Sequence, residues 1–178
     1  MRPEKGRILL DGVDIAALDP DDLRWHVATC PQNPPLYSGT LRQNLSFDGA
    51  ASDTVMLELL TALGAERIMP PGMGLDFEIV EGGRNLSGGQ RQMVALARTL
   101  LHSGANVLIL DEPTAGLDDD TERLVLQHVR RLAEERTLIL ISHRLPALLL
   151  TRHTAILQRG RVTRVVPSVT LSGQGERI

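Results

Sequence analysis

The stretch "NVLILDEPTAGLD", residues 106–118, decides the fold. It is apolar at every position from 107 to 110 and then ends in two carboxylates, Asp111 and Glu112. An unbroken apolar run of strand length is the pattern of a parallel strand covered on both faces. "TLILISH", residues 137–143, repeats the pattern and closes on His143. Between the two runs, from about Thr121, Val125, Val129 and Leu132 recur at helical spacing. Strand, helix and strand in alternation predict an α/β domain with a mostly parallel sheet.

The same punctuation extends outward. "GRILLDGVDI" (residues 6–15) predicts two short strands around an Asp11-Gly12 turn, and Asp19 before Pro20 starts a short helix. "HVATC" (residues 26–30) reads as a buried strand that empties into the proline-rich loop "PQNPPLYSGT". "SDTVMLELLTALG" (residues 52–64) is an amphipathic helix with Ser52 as N-cap, a stripe of Met56, Leu59, Leu60 and Leu63, and Gly64 as stop. Residues 65–84 are looser, with turns at Pro70-Pro71-Gly72 and Gly82-Gly83. A glycine-opened helix follows, with Met93, Leu96, Ala97, Leu100 and Leu101 on one face. "TAILQRGRVTRV" predicts a terminal hairpin turning at Arg159-Gly160, and residues 168–178 a polar, frayed tail.

Composition narrows the function. A chain of 178 residues holds one domain with a real core. Aromatics are 2%, too few for single-strand stacking platforms, and a net charge of −3 gives no footprint for a nucleic-acid partner. Cys30 is the only cysteine, which excludes an internal disulfide and a thiolate zinc cage and fits a reducing compartment. No apolar run reaches membrane-spanning length, and residues 1–10 lack a signal-peptide core.

Chemistry concentrates at the ends of the strands. Ligands of an open parallel sheet gather at its carboxyl ends, where Asp111 and Glu112 stand. Adjacent acids there can divide labour, one holding Mg²⁺ and the other polarising a water; the bland alternative is a solvated strand end. His143 ends the second run, where an imidazole can bond a terminal phosphate or be merely satisfied by backbone. Gln32, after "HVATC", is by itself a loop residue. In "NLSGGQRQ" (residues 85–92), Gly88 and Gly89 let an anion approach a helix N-terminus, and Ser87 adds a hydroxyl; the alternative is a serine cap with flexible glycines.

In order, "PQNPPLYSGTLRQNL", "NLSGGQRQ", "VLILDEPTAGLD" and "LISHR" resemble the nucleotide-binding domain of ATP-binding cassette (ABC) proteins, from about Lys5 to Val165. The resemblance implies a P-loop-NTPase-like ABC ATPase domain spanning residues 1–167, with a helical subdomain at about 33–103. It implies that Asp111 holds Mg²⁺ and that Glu112 orients or deprotonates the attacking water. It places His143 near the γ-phosphate and makes Gln32 the glutamine that senses metal and water. Asp118 falls in the loop that communicates across a dimer. Ser87, Gly88, Gly89 and Gln90 match the signature that clamps ATP held by a second nucleotide-binding domain. Residues 37–44 and 78–83 look like segments facing the transmembrane domains of an exporter, the latter in unusual spelling. ATP and Mg²⁺ are the implied ligands, and the cytoplasmic face of a membrane the implied place.

One motif of such domains is missing from these residues. Lys5, the only lysine, sits in "PEKGR", and no G-x-x-x-x-G-K-[ST] occurs in the 178 residues. In the family that loop lies upstream of the segment resembling "PEKGRILLDGVDI", so the chain is expected to start beyond it, lacking the P-loop strand and helix. Two consequences are expected: negligible ATP hydrolysis by the chain alone, and an open apolar edge beside "TLILISH". The leading reading is the ATPase module of an ABC exporter, present as a fragment. A second is a non-catalytic half-site offering "LSGGQ" to a complete partner cassette. A third, the ABC-like ATPases of DNA repair, needs coiled-coil or zinc insertions for which the chain has neither heptads nor cysteines.

Overall fold

The computed structural model describes residues 3, 5–65 and 69–173. The expected loose segment therefore falls partly, at residues 66–68, outside the described residues, as do residues 174–178 of the tail.

A tight hairpin comes first, β1 (Leu9–Leu10) and β2 (Val13–Asp14). Asp11 (φ 48°) and Gly12 (φ 84°) are both left-handed, the geometry of a two-residue turn matched to strand twist. Helix α1 (Pro20–His26) opens on Asp19, whose side chain accepts from the Asp21 N–H. It feeds β3 (Val27–Cys30), which runs parallel to β6 (Val107–Asp111), itself parallel to β7 (Thr137–Ile141). The order β3-β6-β7 makes the parallel sheet that the alternation predicts.

Between β3 and β6 the chain builds β4 (Gly39–Thr40), α2 (Leu41–Leu45), α3 (Asp53–Ala62), β5 (Glu78–Ile79) and α4 (Gly88–Leu101). Helix α3 is bounded as its sequence dictates: the Ser52 hydroxyl caps the Val55 N–H, and Gly64 (φ 69°) leaves the helix. Helix α4 departs from the single-stripe expectation. Gln92, Val94, Ala95 and Thr99 are buried along with Met93, Leu96, Ala97 and Leu100. Helices α2 and α3 and strand β3 all pack on it, so it is the central post of the core. After β6 come α5 (Asp119–Leu132), β7, a short α6 (Leu145–Leu148), and the hairpin β8 (His153–Gln158) and β9 (Arg161–Pro167).

Two expectations are corrected. The strands are not covered on both faces: Leu108 and Leu110 are fully buried, but Ile139 and Ile141 of β7 are 48% and 50% exposed. β7 is also the end strand of its sheet, and a groove of about 980 Å³ lies between it and β8. An apolar run reports a strand's composition and not whether its neighbour is present; the exposed side of β7 is the open apolar edge expected beside "TLILISH". The second correction concerns the tail. Residues 168–173 form a 3₁₀ turn, and buried Ser168 bonds the hydroxyls of Thr151 (3.0 Å) and Thr154 (2.8 Å).

Candidate functional site

The register of the sheet levels its carboxyl ends. Cys30 pairs with Leu110 and Asp111 with Ile141, so Gln32, Glu112 and Ser142–His143 emerge from neighbouring strands at one end. Glu112 is the hub. Its Oε1 accepts from the His143 backbone N–H at 3.2 Å and lies 2.8 Å from His143 Nδ1, while Ser142 Oγ donates to Oε2 at 3.3 Å. A carboxylate oxygen only accepts, so this contact places a proton on Nδ1 and turns Nε2 outward. The Glu112 side chain is 13% exposed and that of His143 77%, a shielded acid under an open imidazole.

Glu112 is also strained. Its φ of 47° is left-handed, at a cost of about 1–2 kcal/mol for a residue with a Cβ. Its N–H continues the ladder to Ile141 O at 2.9 Å. Its carbonyl receives the Ala115 N–H at 3.1 Å and the buried Gln92 amide at 3.4 Å. Gln92, on α4, was not legible as a site residue: its reach to Glu112 spans 20 positions of sequence. Gln92 Nε2 also lies 3.6 Å from Cys30 Sγ, and burial pushes that thiol up to about 11.

The loop after β6 meets the start of α4. Ser87 and Gln90 form a reciprocal cap: the Gln90 N–H donates to Ser87 Oγ (3.2 Å) and the Ser87 N–H to Gln90 Oε1 (2.7 Å). The hydroxyl oxygen is thus used locally, while its proton can still be donated outward. Gly89 lies against Gly116, where an added Cβ would come 3.1 Å from the Gly116 carbonyl oxygen. Gly88 faces open space, its nearest neighbour an Arg91 nitrogen at 4.0 Å. Neither glycine has a positive φ. Asp118 caps α5, accepting from the N–H groups of Asp120 and Thr121 and from the Thr121 hydroxyl. The Thr121 N–H leads these bonds in holding the Asp118 carboxyl below its ordinary range.

Behind the hub lies a ring the sequence did not disclose. Thr114 Oγ1 donates to Glu122 Oε1 at 2.8 Å, and Arg144 forms an ion pair with Glu122 Oε2 and another with Asp119 at 3.3 Å.

Among the described residues no group of three or more acidic, histidine or cysteine side chains is arranged to hold a metal. Mg²⁺ keeps several waters and takes one or two carboxylates plus phosphate oxygens. Half-buried Asp111 therefore fits an ion arriving with a nucleotide and does not make a protein-only cage.

A second feature lies away from the strand ends. The chain has four Phe, Tyr and Trp residues; Trp25, Tyr37 and Phe47 are exposed, and Trp25 and Phe47 line a hollow of about 230 Å³. Tyr37 and Phe47 meet edge to face at 5.1 Å, the Arg98 guanidinium lies 5.1 Å from the Phe47 ring, and Trp25 meets His102 at 5.4 Å. Buried Asn44 ties the preceding loop to α2, exchanging hydrogen bonds with the Tyr37 N–H and C=O at 2.9 Å and donating to Thr40 O at 3.2 Å.

Comparison with known proteins agrees with this architecture. The ABC transporter family model matches residues 1–115, and the chain belongs to that family as an exporter-type nucleotide-binding domain. It is 38% identical over 174 residues to ATP-binding cassette sub-family C member 10 of Mus musculus, covering 98% of this chain and 12% of that protein. It is also 38% identical over 161 residues to the glutathione/L-cysteine transport system ATP-binding/permease protein CydC of Haemophilus influenzae, covering 89% of this chain and 28% of the relative. The fold superposes on a bacterial Atm1-family ABC exporter with ATP bound, with a TM-score of 0.84 and 34% identity, over 95% of this chain and 30% of the exporter. The chain thus spans only a fraction of the length of these relatives. No helix among its described residues is long and apolar enough to cross a membrane.

Proposed function

We propose that the chain supplies the water-activating and signature-bearing part of an ATPase that drives export. The observation that carries this reading is Glu112 under His143, at the level of Asp111 and Gln32. Glu112, shielded and oriented by Ser142 and His143, accepts a proton from, or aligns, the attacking water. His143, open to solvent on its Nε2 side, bonds the terminal phosphate by donating Nε2–H when the ring carries both protons. Asp111 and Gln32 hold the Mg²⁺ that accompanies ATP; that ion supplies charge neutralisation when bound. Ser87, Gly88, Gly89 and Gln90 present a helix start, open at Gly88, to the γ-phosphate of ATP on a second nucleotide-binding domain, and the Asp118 loop lies beside them. The hollow ringed by Trp25, Phe47 and Arg98 receives an apolar helix end of the transmembrane domains, which sets the chain at the cytoplasmic face. Residues 33–103 form a helical subdomain within a domain of residues 1–167.

The lysine and backbone donors that grip β- and γ-phosphates are not among these residues, and phosphoryl transfer is chiefly positioning and electrostatics. The 178-residue chain alone therefore turns over Mg-ATP negligibly. The test fuses a P-loop strand and helix of an ABC exporter ahead of the chain, pairs the product with a second nucleotide-binding domain and measures phosphate release. Turnover should rise on restoring the P-loop and fall about 10²-fold or more with Glu112→Gln. A rise indifferent to Glu112→Gln but abolished by Ser87→Arg supports a second reading, a half-site offering its signature in trans, which the unobstructed Gly88 favours. Turnover indifferent to both variants refutes both readings.

A further inference from the structure

The hub has a support that nothing in its own chemistry requires. Helix α5 begins with Asp119, Asp120 and Glu122; the first two point outward, but Glu122 is turned inward, its side chain 5% exposed. Each of its oxygens is taken by a different loop. Oε1 accepts from Thr114, two residues past Glu112, and Oε2 pairs with Arg144, one residue past His143. The contacts close a ring: Glu112, Thr114, Glu122, Arg144, His143 and back to Glu112.

Buried ion pairs return little stability, since desolvation offsets their attraction, so a role in holding geometry is the better account of this one. The open imidazole of His143 gains little from packing. Its place depends on its backbone, and that backbone is fixed from the following residue by Arg144.

We propose that Glu122 and Arg144, with Thr114, are positioning residues that hold the loops after β6 and β7 at the spacing which keeps His143 on Glu112. The proposal rests on the catalytic reading of that pair but is tested without nucleotide.

The probe is the ring-nitrogen NMR signals of His143 in the ¹⁵N-histidine-labelled chain, assigned by their loss in His143→Gln. In the parent chain Glu112→Gln should shift them, because the two side chains touch. The triple variant Thr114→Val, Glu122→Leu, Arg144→Met removes the ring while leaving no buried charge or hydroxyl unpaired. In it the signals should move to those of a solvated histidine, and adding Glu112→Gln should produce less than half the parent shift, with an unchanged unfolding midpoint. An undiminished response to Glu112→Gln overturns the proposal. If the triple variant does not fold, Arg144→Gln, which keeps a donor near Glu122 but loses the charge and reach, is read by the same criterion. Failure of the catalytic reading appears instead as turnover indifferent to Glu112→Gln, with these signals unaffected.

Discussion

Substituting each signature glycine by alanine separates what this chain needs from what a ligand needs. Gly88 and Gly89 are the first two residues of α4, and an alanine in a helix is favoured over glycine by about 0.5–1 kcal/mol, less so at a terminus. At Gly88 the added methyl meets nothing closer than 4.0 Å, so Gly88→Ala should be neutral or stabilise by up to about 0.5 kcal/mol. At Gly89 the methyl lies 3.1 Å from Gly116 O and 3.8 Å from Leu117 Cδ2. The loop that must yield is stiff: Leu117 N–H bonds Thr114 O at 3.2 Å, and Thr114 is itself tied to Glu122. Overpacking of this kind costs about 1–3 kcal/mol, leaving Gly89→Ala destabilised by about 0.5–2 kcal/mol after the helix gain. The two variants should then differ in melting temperature by roughly 5 °C in a chain of this length. Urea and thermal unfolding at low protein concentration measure the difference. Gly89→Ala as stable as Gly88→Ala would refute the packing argument. Gly88→Ala should nevertheless lose the stimulation of a paired cassette, because its missing methyl leaves room for something outside the chain.

Three further expectations follow from the fold. Asn44→Leu strips the Tyr37 N–H and C=O and the Thr40 C=O of their partner and should destabilise by about 2–4 kcal/mol, read as a lower urea midpoint. Ile139→Lys, on the end strand beside the open groove, should raise soluble yield and lower light scattering without lowering the unfolding midpoint, since a charge on an edge blocks strand pairing between copies. The Asp118 carboxyl is held below its ordinary range, so the folded state binds fewer protons there than the unfolded chain. Its contribution is present above pH about 4 and disappears as pH falls through the lower folded value, a slope that Asp118→Asn should flatten in acid unfolding curves.

What the sequence discloses here is local. Ser52, Asp19, Gly64 and the Asp11-Gly12 turn mark element ends because capping and positive φ are short-range requirements. The strand-end acids and His143 were legible because an apolar run stopped abruptly on them. The enclosure of α4 was not, since its polar-side neighbours arrive from α2 and β3, far along the chain. Thr114, Glu122 and Arg144 were opaque for the same reason: they are ordinary residues until the fold brings positions 8 and 22 apart into contact. The exposure of Ile139 and Ile141 agrees with the open edge expected beside "TLILISH" from the missing P-loop strand, whereas the strand's own composition is silent about which neighbours are there.

The aromatic hollow has a practical consequence. The chain's single tryptophan, Trp25, stands at its rim, and the residues gathered round Glu112 include no indole. Its emission is therefore an intrinsic label for one event: an apolar surface entering the hollow takes the indole from water and moves its emission to the blue. Engagement of a membrane partner and turnover of nucleotide could thus be followed in one cuvette as separate signals, and their order in time settled without attaching a dye.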